Sequence, residues 1–248
     1  MISVVIPFHN PGAFLAQAVD SVLTSGPSTI ELILVDDASQ EKFDFPHARL
    51  LHSPGLGPAG ARNLGWRAAT HPFLAFLDAD DLWEAGSMQC LLDAFTHHPE
   101  AGICQGKMRH QVLQTVAKDP LERYGSLPHY GVNLGACLFR KEFLDRAGGL
   151  DESLRFGEDT DLLIRAWHLG IGKVRIPENV LIYRLHSSNM TLEAPEHQTM
   201  LKQLVLRQAR RARAGFPSRT EPGLAEYLGG QEPPGAIGEA YELPGQPI

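Results

Sequence analysis

Three mainly apolar runs, residues 2–6, 30–35 and 73–77, broken only by Ser3 and Glu31, constrain this chain more than any other feature. A strand wetted on one face alternates apolar and polar residues, whereas a run without that alternation reads as a strand covered on both faces. Between the runs the apolar period changes. Phe14, Leu15, Ala18, Val19, Val22 and Leu23 recur at helical spacing after the first run, and Met88, Leu91, Leu92 and Phe95 share a helical face after the third. Strand alternating with helix requires a mainly parallel sheet joined by right-handed crossovers. The predicted fold class is α/β.

The punctuation refines this. Asn10 reads as a helix N-cap with Pro11 at the first helical position, and Gly26-Pro27 ends that helix. A weaker strand is expected over 49–52, then a Gly-rich turn over 55–60 opening a helix to about residue 69. Residues 132–139 read as a strand, 141–147 as a short helix closed by Gly148-Gly149, 158–169 as a helix, and 174–183 as one or two short strands. Residues 102–130 carry no assignable pattern. A helix over 196–214 holds Arg207, Arg210, Arg211 and Arg213 among Leu201, Leu204, Val205 and Leu206. Beyond Gly215, Pro and Gly dominate and the apolar period is lost. The expected division is a catalytic domain over 1–190, a helical extension over 191–214 and a poorly ordered tail over 215–248.

With 248 residues, 43% of them hydrophobic, the chain can bury a real core. Its formal charge of -7 argues against a nucleic-acid partner bound through many phosphates. Cys90, Cys104 and Cys137 stand too far apart for a C-x-x-C motif and read as three buried, reduced thiols, as in the cytoplasm. Met1 to Pro7 reads as a first strand and not a signal peptide, and no apolar stretch approaches the roughly 20 residues of a membrane span.

Two of the strongest runs end in carboxylates: Asp36-Asp37, and Asp78, Asp80 and Asp81. Ligands of open parallel sheets bind beyond the carboxyl ends of the strands. Clustered carboxylates repel one another unless a cation sits among them, and hard oxygen ligands suit Mg²⁺ or Mn²⁺ shared with substrate phosphates. The competing reading is that such aspartates start turns or cap helices.

The motifs in order resemble those of family 2 glycosyltransferases with the GT-A fold. The resemblance rests on Val4-Val5-Ile6-Pro7-Phe8-His9-Asn10, Leu34-Val35-Asp36-Asp37-Ala38-Ser39 and Gly60-Ala61-Arg62-Asn63-Leu64-Gly65. It continues through the D-x-D segment Phe76-Leu77-Asp78-Ala79-Asp80-Asp81, then Gly157-Glu158-Asp159-Thr160-Asp161 and Tyr183-Arg184-Leu185-His186. It implies a GT-A-like, Rossmann-related three-layer sandwich with a mixed, mainly parallel sheet. It further implies transfer of a sugar from a nucleoside-diphosphate sugar, a UDP-sugar first, to a saccharide or lipid-linked hydroxyl acceptor with inversion, as in cell-surface polysaccharide synthesis.

By the same resemblance Pro7, His9, Asp36, Asp37, Arg62 and Asp78 would line the nucleotide side, with Asp37 bonding the base. Asp80 and His186 would hold the metal. Asp159 would be the catalytic base and Glu158 would position the acceptor. The family often has an aromatic residue, commonly Tyr, where His9 stands, so base stacking is expected to be less extensive. Without these other motifs, Glu158, Asp159 and Asp161 would read as an acidic first turn complementing a helix dipole. The arginine-rich helix over 196–214 would either rest on an anionic inner membrane surface near a lipid-linked acceptor or pack on the domain with its arginines solvated, and packing is the favoured expectation.

Three rivals stand beside this reading. Gly55-Leu56-Gly57-Pro58-Ala59-Gly60 is literally G-x-G-x-x-G, with Asp78 about 20 residues on, the formal signature of an NAD-dependent oxidoreductase. Against it, the preceding strand is short, the unit is not the first βαβ, and Asp78 belongs to a larger acidic cluster. A sugar-phosphate nucleotidyltransferase would need a basic Gly-rich first loop, and Phe8-His9-Asn10-Pro11 stands there instead. A non-catalytic nucleotide-sugar-binding domain on the same fold would keep the same motifs.

Overall fold

The computed structural model describes residues 1–27, 29–113, 127–187, 189, 194–215 and 222–229. Its strands are β1 (Ile2–Phe8), β2 (Ile30–Asp37), β3 (Arg49–Ser53), β4 (Phe73–Phe76), β5 (Leu82–Trp83), β6 (Ala101–Val112), β7 (Cys137–Arg140) and β8 (Gly172–Leu185). Its helices are α1 (Phe14–Ser25), α2 (Gly57–Ala68), α3 (Ser87–His97), α4 (Lys141–Ala147), α5 (Glu158–His168), α6 (Ala194–Arg213) and α7 (Leu224–Leu228). One eight-stranded sheet has the order β3-β2-β1-β4-β7-β6-β8-β5. The pairs β3/β2, β2/β1, β1/β4 and β6/β8 are parallel, while β4/β7, β7/β6 and β8/β5 are antiparallel.

The doubly covered strands explain the apolar runs. In β1, Val4 and Ile6 point toward α1 and α3, where they meet Leu15, Val19, Met88 and Leu91. Val5 points the other way, into a second core built by α2, α4 and α5 with Trp66, Phe143, Leu162 and Leu163. Each such side chain, fully withdrawn from water, contributes roughly 1.5–3 kcal/mol. The two cores make the three layers. On the second face α2 lies close against the sheet because residue 65 has no side chain: a Cβ there would stand 2.3 Å from Val5 Cγ1 and 3.1 Å from Val35 Cγ2.

Several local expectations are corrected. Asn10 does not cap α1, which starts at Phe14; it takes φ of 46° and its side-chain oxygen accepts from Gln40 N at 2.9 Å. Asn tolerates this left-handed geometry, so here it is a turn residue. The strand expected over 132–139 is divided: a 3-10 turn over Leu134–Ala136 precedes β7. The turn arises because Asn133 accepts from Gly135 N and competes with the ladder. The patternless stretch from residue 102 yields the long strand β6, whose bulges against β8 blur its alternation. Residues 114–126 of that stretch lie outside the described residues. Cys104 and Cys137 are buried, but Cys90 is only partly so.

The C-terminal expectations change most. In α6, Arg207 pairs with Asp151, and Arg211 with the fully buried Asp161 at 2.7 Å, so these two arginines dock the helix on the domain. Arg210 and Arg213 remain exposed with Val205 and Leu206. Within the stretch expected to be poorly ordered, α7 packs on the second core with Tyr227 buried. Trp167 Nε1 donates to Pro222 O at 2.7 Å, Tyr227 Oη to Ile171 O at 3.0 Å, and Arg175 Nη2 to Glu226 O at 2.6 Å, while Lys173 Nζ donates to Tyr227 O. One turn of helix held by four such bonds escapes a search for apolar periodicity. Residues 216–221 and 230–248 lie outside the described residues. Among the described residues no helix is long and apolar enough to cross a membrane.

Candidate active site

Because β1, β2 and β4 run parallel, their carboxyl ends meet at one sheet edge, with Phe8 opposite Asp36. Asp36 and Asp37 close β2, Asp78 to Asp81 follow β4, and the first turn of α5 brings Glu158 and Asp159 to the same edge through Arg62 of α2.

On the β2 side, Asp37 accepts from Ser53 Oγ, from Leu56 N at 2.7 Å and from Gly57 N at 2.8 Å. It therefore caps α2, filling three of the about four acceptor positions of a carboxylate. The turn-and-cap reading of this residue thus describes what its side chain does. It also disposes of the G-x-G-x-x-G signature, because the helix N-terminus that a dinucleotide pyrophosphate would occupy already holds a carboxylate. Asp36 accepts from Ser39 N at 2.9 Å and faces His52 Nδ1 at 3.4 Å. The exposed His9 ring is tied by Nδ1 to Asp37 O at 2.8 Å, beside the half-buried Pro7.

Arg62 is the hub. Its side chain is 8% exposed; Nη1 donates to Glu158 Oε1 at 2.7 Å and Nη2 to Asp78. Burial alone pulls the guanidinium pKa down, but the Asp78 and Glu158 carboxylates outweigh it and hold it above the ordinary value. Its neighbour Asn63 clamps the loop before α5, donating to Leu150 O at 2.9 Å and accepting from Leu150 N at 2.8 Å. The Arg-Asn-x-Gly spacing therefore has a physical basis: Arg62 bridges two acidic motifs, Asn63 fixes the loop between them, and Gly65 lets the helix reach the sheet. Beside the hub, burial and then the Glu158 carboxylate push Asp159 up to about 7. Asp159 accepts from Thr160 N at 2.5 Å.

The D-x-D segment is fixed from β8. Asp80 Oδ2 lies 3.1 Å from His186 Nε2, and burial followed by the Asp78 carboxylate raises its pKa. The buried Asp81 accepts from Arg184 N at 2.9 Å. The Arg184 guanidinium donates to Asp80 O and to Gln17, and lies 4.8 Å from the Phe14 ring centroid. Phe14 in turn stacks on His186 at 4.8 Å. Among the described residues no three His, Cys, Asp or Glu side chains gather as a metal cage.

Of the candidates, Arg62, Asp78, Glu158 and Asp159 lie together, and Asp80 with His186 adjoins them through Asp78. Asp36, Asp37 and His9 form a neighbouring group joined to it through α2. Sequence reasoning missed Asn63, Arg184 and the buried Asn189. The first two sit inside recognised motifs, so the signal was present; Asn189 sits three residues past His186 with no periodicity to mark it.

A mixed sheet with carboxylates collected at its parallel edge defines an α/β domain of the GT-A type. The sequence model described as glycosyl transferase family 2 matches residues 3–143, more than half of the chain. The chain belongs to that family. The pre-mycofactocin glycosyltransferase of Mycobacterium tuberculosis is 30% identical over 234 residues, covering 84% of this chain and 45% of its own length. This chain thus spans less than half of that relative. Crystal structures of S. aureus TarS 1-349 in complex with UDP and with UDP-GlcNAc share the fold, with TM-scores of 0.61 and 0.63. Their identities are 17% and 16%, over 74% and 78% of this chain and 60% and 61% of theirs.

Proposed function

We propose that this chain transfers a sugar from a UDP-sugar to a hydroxyl acceptor with inversion at the anomeric carbon. The observation that carries the proposal is Arg62, which ties the donor-side carboxylate Asp78 to the first turn of α5, where Glu158 and Asp159 stand. Leaving group and base are thereby held in one rigid frame, as a single displacement requires. Asp159, with its pKa near neutrality, is suited to take the acceptor proton at physiological pH. Glu158, engaged by Arg62, orients the acceptor side. The crystal complexes of TarS with UDP and UDP-GlcNAc support a UDP donor. The base would lie by His9 and Pro7, using the one acceptor position left on Asp37, with Asp36 holding the turn beneath.

Mg²⁺ or Mn²⁺ would be held by Asp80 and His186. Neighbouring ligands of an octahedral ion with bonds of about 2.1 Å lie about 3 Å apart, and the 3.1 Å between Asp80 Oδ2 and His186 Nε2 fits. One carboxylate and one imidazole would leave the other positions of the ion for water and phosphate oxygens. Bound there, the ion would neutralise charge on the departing diphosphate. The acceptor is a saccharide or lipid-linked hydroxyl. If the domain meets an anionic membrane, the exposed face with Val205, Leu206, Arg210 and Arg213 is the surface that remains for it.

The test is a thermal-shift screen of nucleoside diphosphates and their sugars with Mn²⁺, with NAD(H) in the same plate, followed by an assay of UDP release. Stabilisation by UDP with metal and turnover of a UDP-sugar is the expected result. Binding without donor turnover in the presence of candidate acceptors would favour the binding-only domain.

A further inference from the structure

Asn189 is buried, and the backbone fixes which way its amide faces. Its Oδ1 accepts from His186 N at 2.6 Å and its Nδ2 donates to Arg184 O at 3.1 Å. A flipped amide would set oxygen against the Arg184 carbonyl and NH₂ against the His186 N–H, so the main chain excludes it. One amide hydrogen of Nδ2 is used on Arg184, and the second points where Nδ2 lies 3.3 Å from both Asp80 Oδ2 and His186 Nε2. These two atoms are themselves 3.1 Å apart. Asp80 is a third exposed, whereas His186 is nearly covered. The pair is thus backed by the amide on the protein side and open at the carboxylate.

We infer that Asn189 is a positioning residue for the diphosphate-side cation, resting on the metal role proposed for Asp80 and His186. It does two things with one side chain. It closes the turn between Arg184 and residue 189 that carries the His186 ring, and it donates to the Asp80 carboxylate, holding that oxygen beside the imidazole before any ion arrives. Partners that orient metal ligands in this way typically change metal affinity about 10- to 100-fold when removed.

The experiment is Mn²⁺ binding to the full chain in the presence of UDP, followed by electron paramagnetic resonance of the free ion, with thermal unfolding of the same samples. Wild type should bind Mn²⁺, and Asn189→Ala should bind it at least about 10-fold more weakly. Asn189→Asp places a carboxylate against Asp80, so it should be less stable than wild type without metal and gain more in Tm on adding Mn²⁺. A purely structural role would lower the Tm of both variants and leave the affinity and the Mn²⁺-induced shift as in wild type; that outcome overturns the inference alone. Absence of UDP-dependent Mn²⁺ binding by wild type would remove the metal role of Asp80 and His186 and the inference with it.

Discussion

Replacing Arg62 by Met keeps most of the apolar stem and deletes the charge between two acidic motifs. The Glu158 arm is buried on both sides, with side chains 8% and 11% exposed and a 2.7 Å contact. Removing one partner of such a pair leaves the other charge stranded, at a cost of about 3–5 kcal/mol. The Asp78 arm ends on a side chain 35% exposed, so solvent screens it and it adds at most about 1 kcal/mol. Arg62→Met should therefore lower stability by roughly 3–5 kcal/mol, almost all of it through Glu158. Adding Glu158→Gln removes the stranded charge and should recover about 2 kcal/mol, a non-additivity expected of touching residues. Urea unfolding of wild type, both single variants and the double variant measures this. A loss under about 1 kcal/mol for Arg62→Met, or a double variant no more stable than Arg62→Met, would refute the account of Arg62 as a buried tie.

Four further expectations follow from the same geometry. Asp159→Asn should reduce turnover by about 100-fold or more while UDP affinity persists, and unimpaired turnover would remove Asp159 as the base. The wild-type rate should rise with pH through about 7 as Asp159 loses its proton; the same group favours the folded state below the unfolded carboxylate range near 4 and loses that contribution as pH climbs to about 7, so unfolding midpoints measured across this window should decline with pH apart from other groups. Asp80→Ala should abolish the part of UDP affinity that depends on Mn²⁺, by isothermal titration, and unchanged affinity would refute its ligand role. Gly65→Ala would push a methyl group to 2.3 Å from Val5 Cγ1 and should cost about 1–3 kcal/mol in denaturant unfolding; a neutral result would show that α2 can back away from the sheet.

The parts of this fold that were legible in the sequence are those where local pattern and tertiary role agree. Residues 2–6, 30–35 and 73–77 lie in or next to doubly covered strands, and the helix over Lys141–Ala147 with Gly148 in a left-handed cap appears where spacing put it. The strand β6 was illegible because its bulges break a period of two. The division of residues 132–139 was hidden because one Asn side chain decides it. At the site, residue types marked the edge of the sheet where the carboxylates gather, but type alone could not tell which of them caps a helix. Asp37 does so in this structure, and only the positions of Leu56 and Gly57 reveal it. Arg62 was assigned to the nucleotide, and its tie to Glu158, 96 positions away, has no signature in a linear reading.

The attachment of α7 to β8 has a consequence for how relatives of this chain should be compared. Lys173 and Arg175 hold it by main-chain oxygens of Glu226 and Tyr227, which every amino acid possesses. These bonds do not depend on which side chains the segment carries, whereas Leu224, Tyr227 and Leu228 add their own packing on the second core. Chains that have drifted beyond alignment in this region can retain the same anchor, and the feature to trace in them is a Lys and an Arg two residues apart on the last long strand.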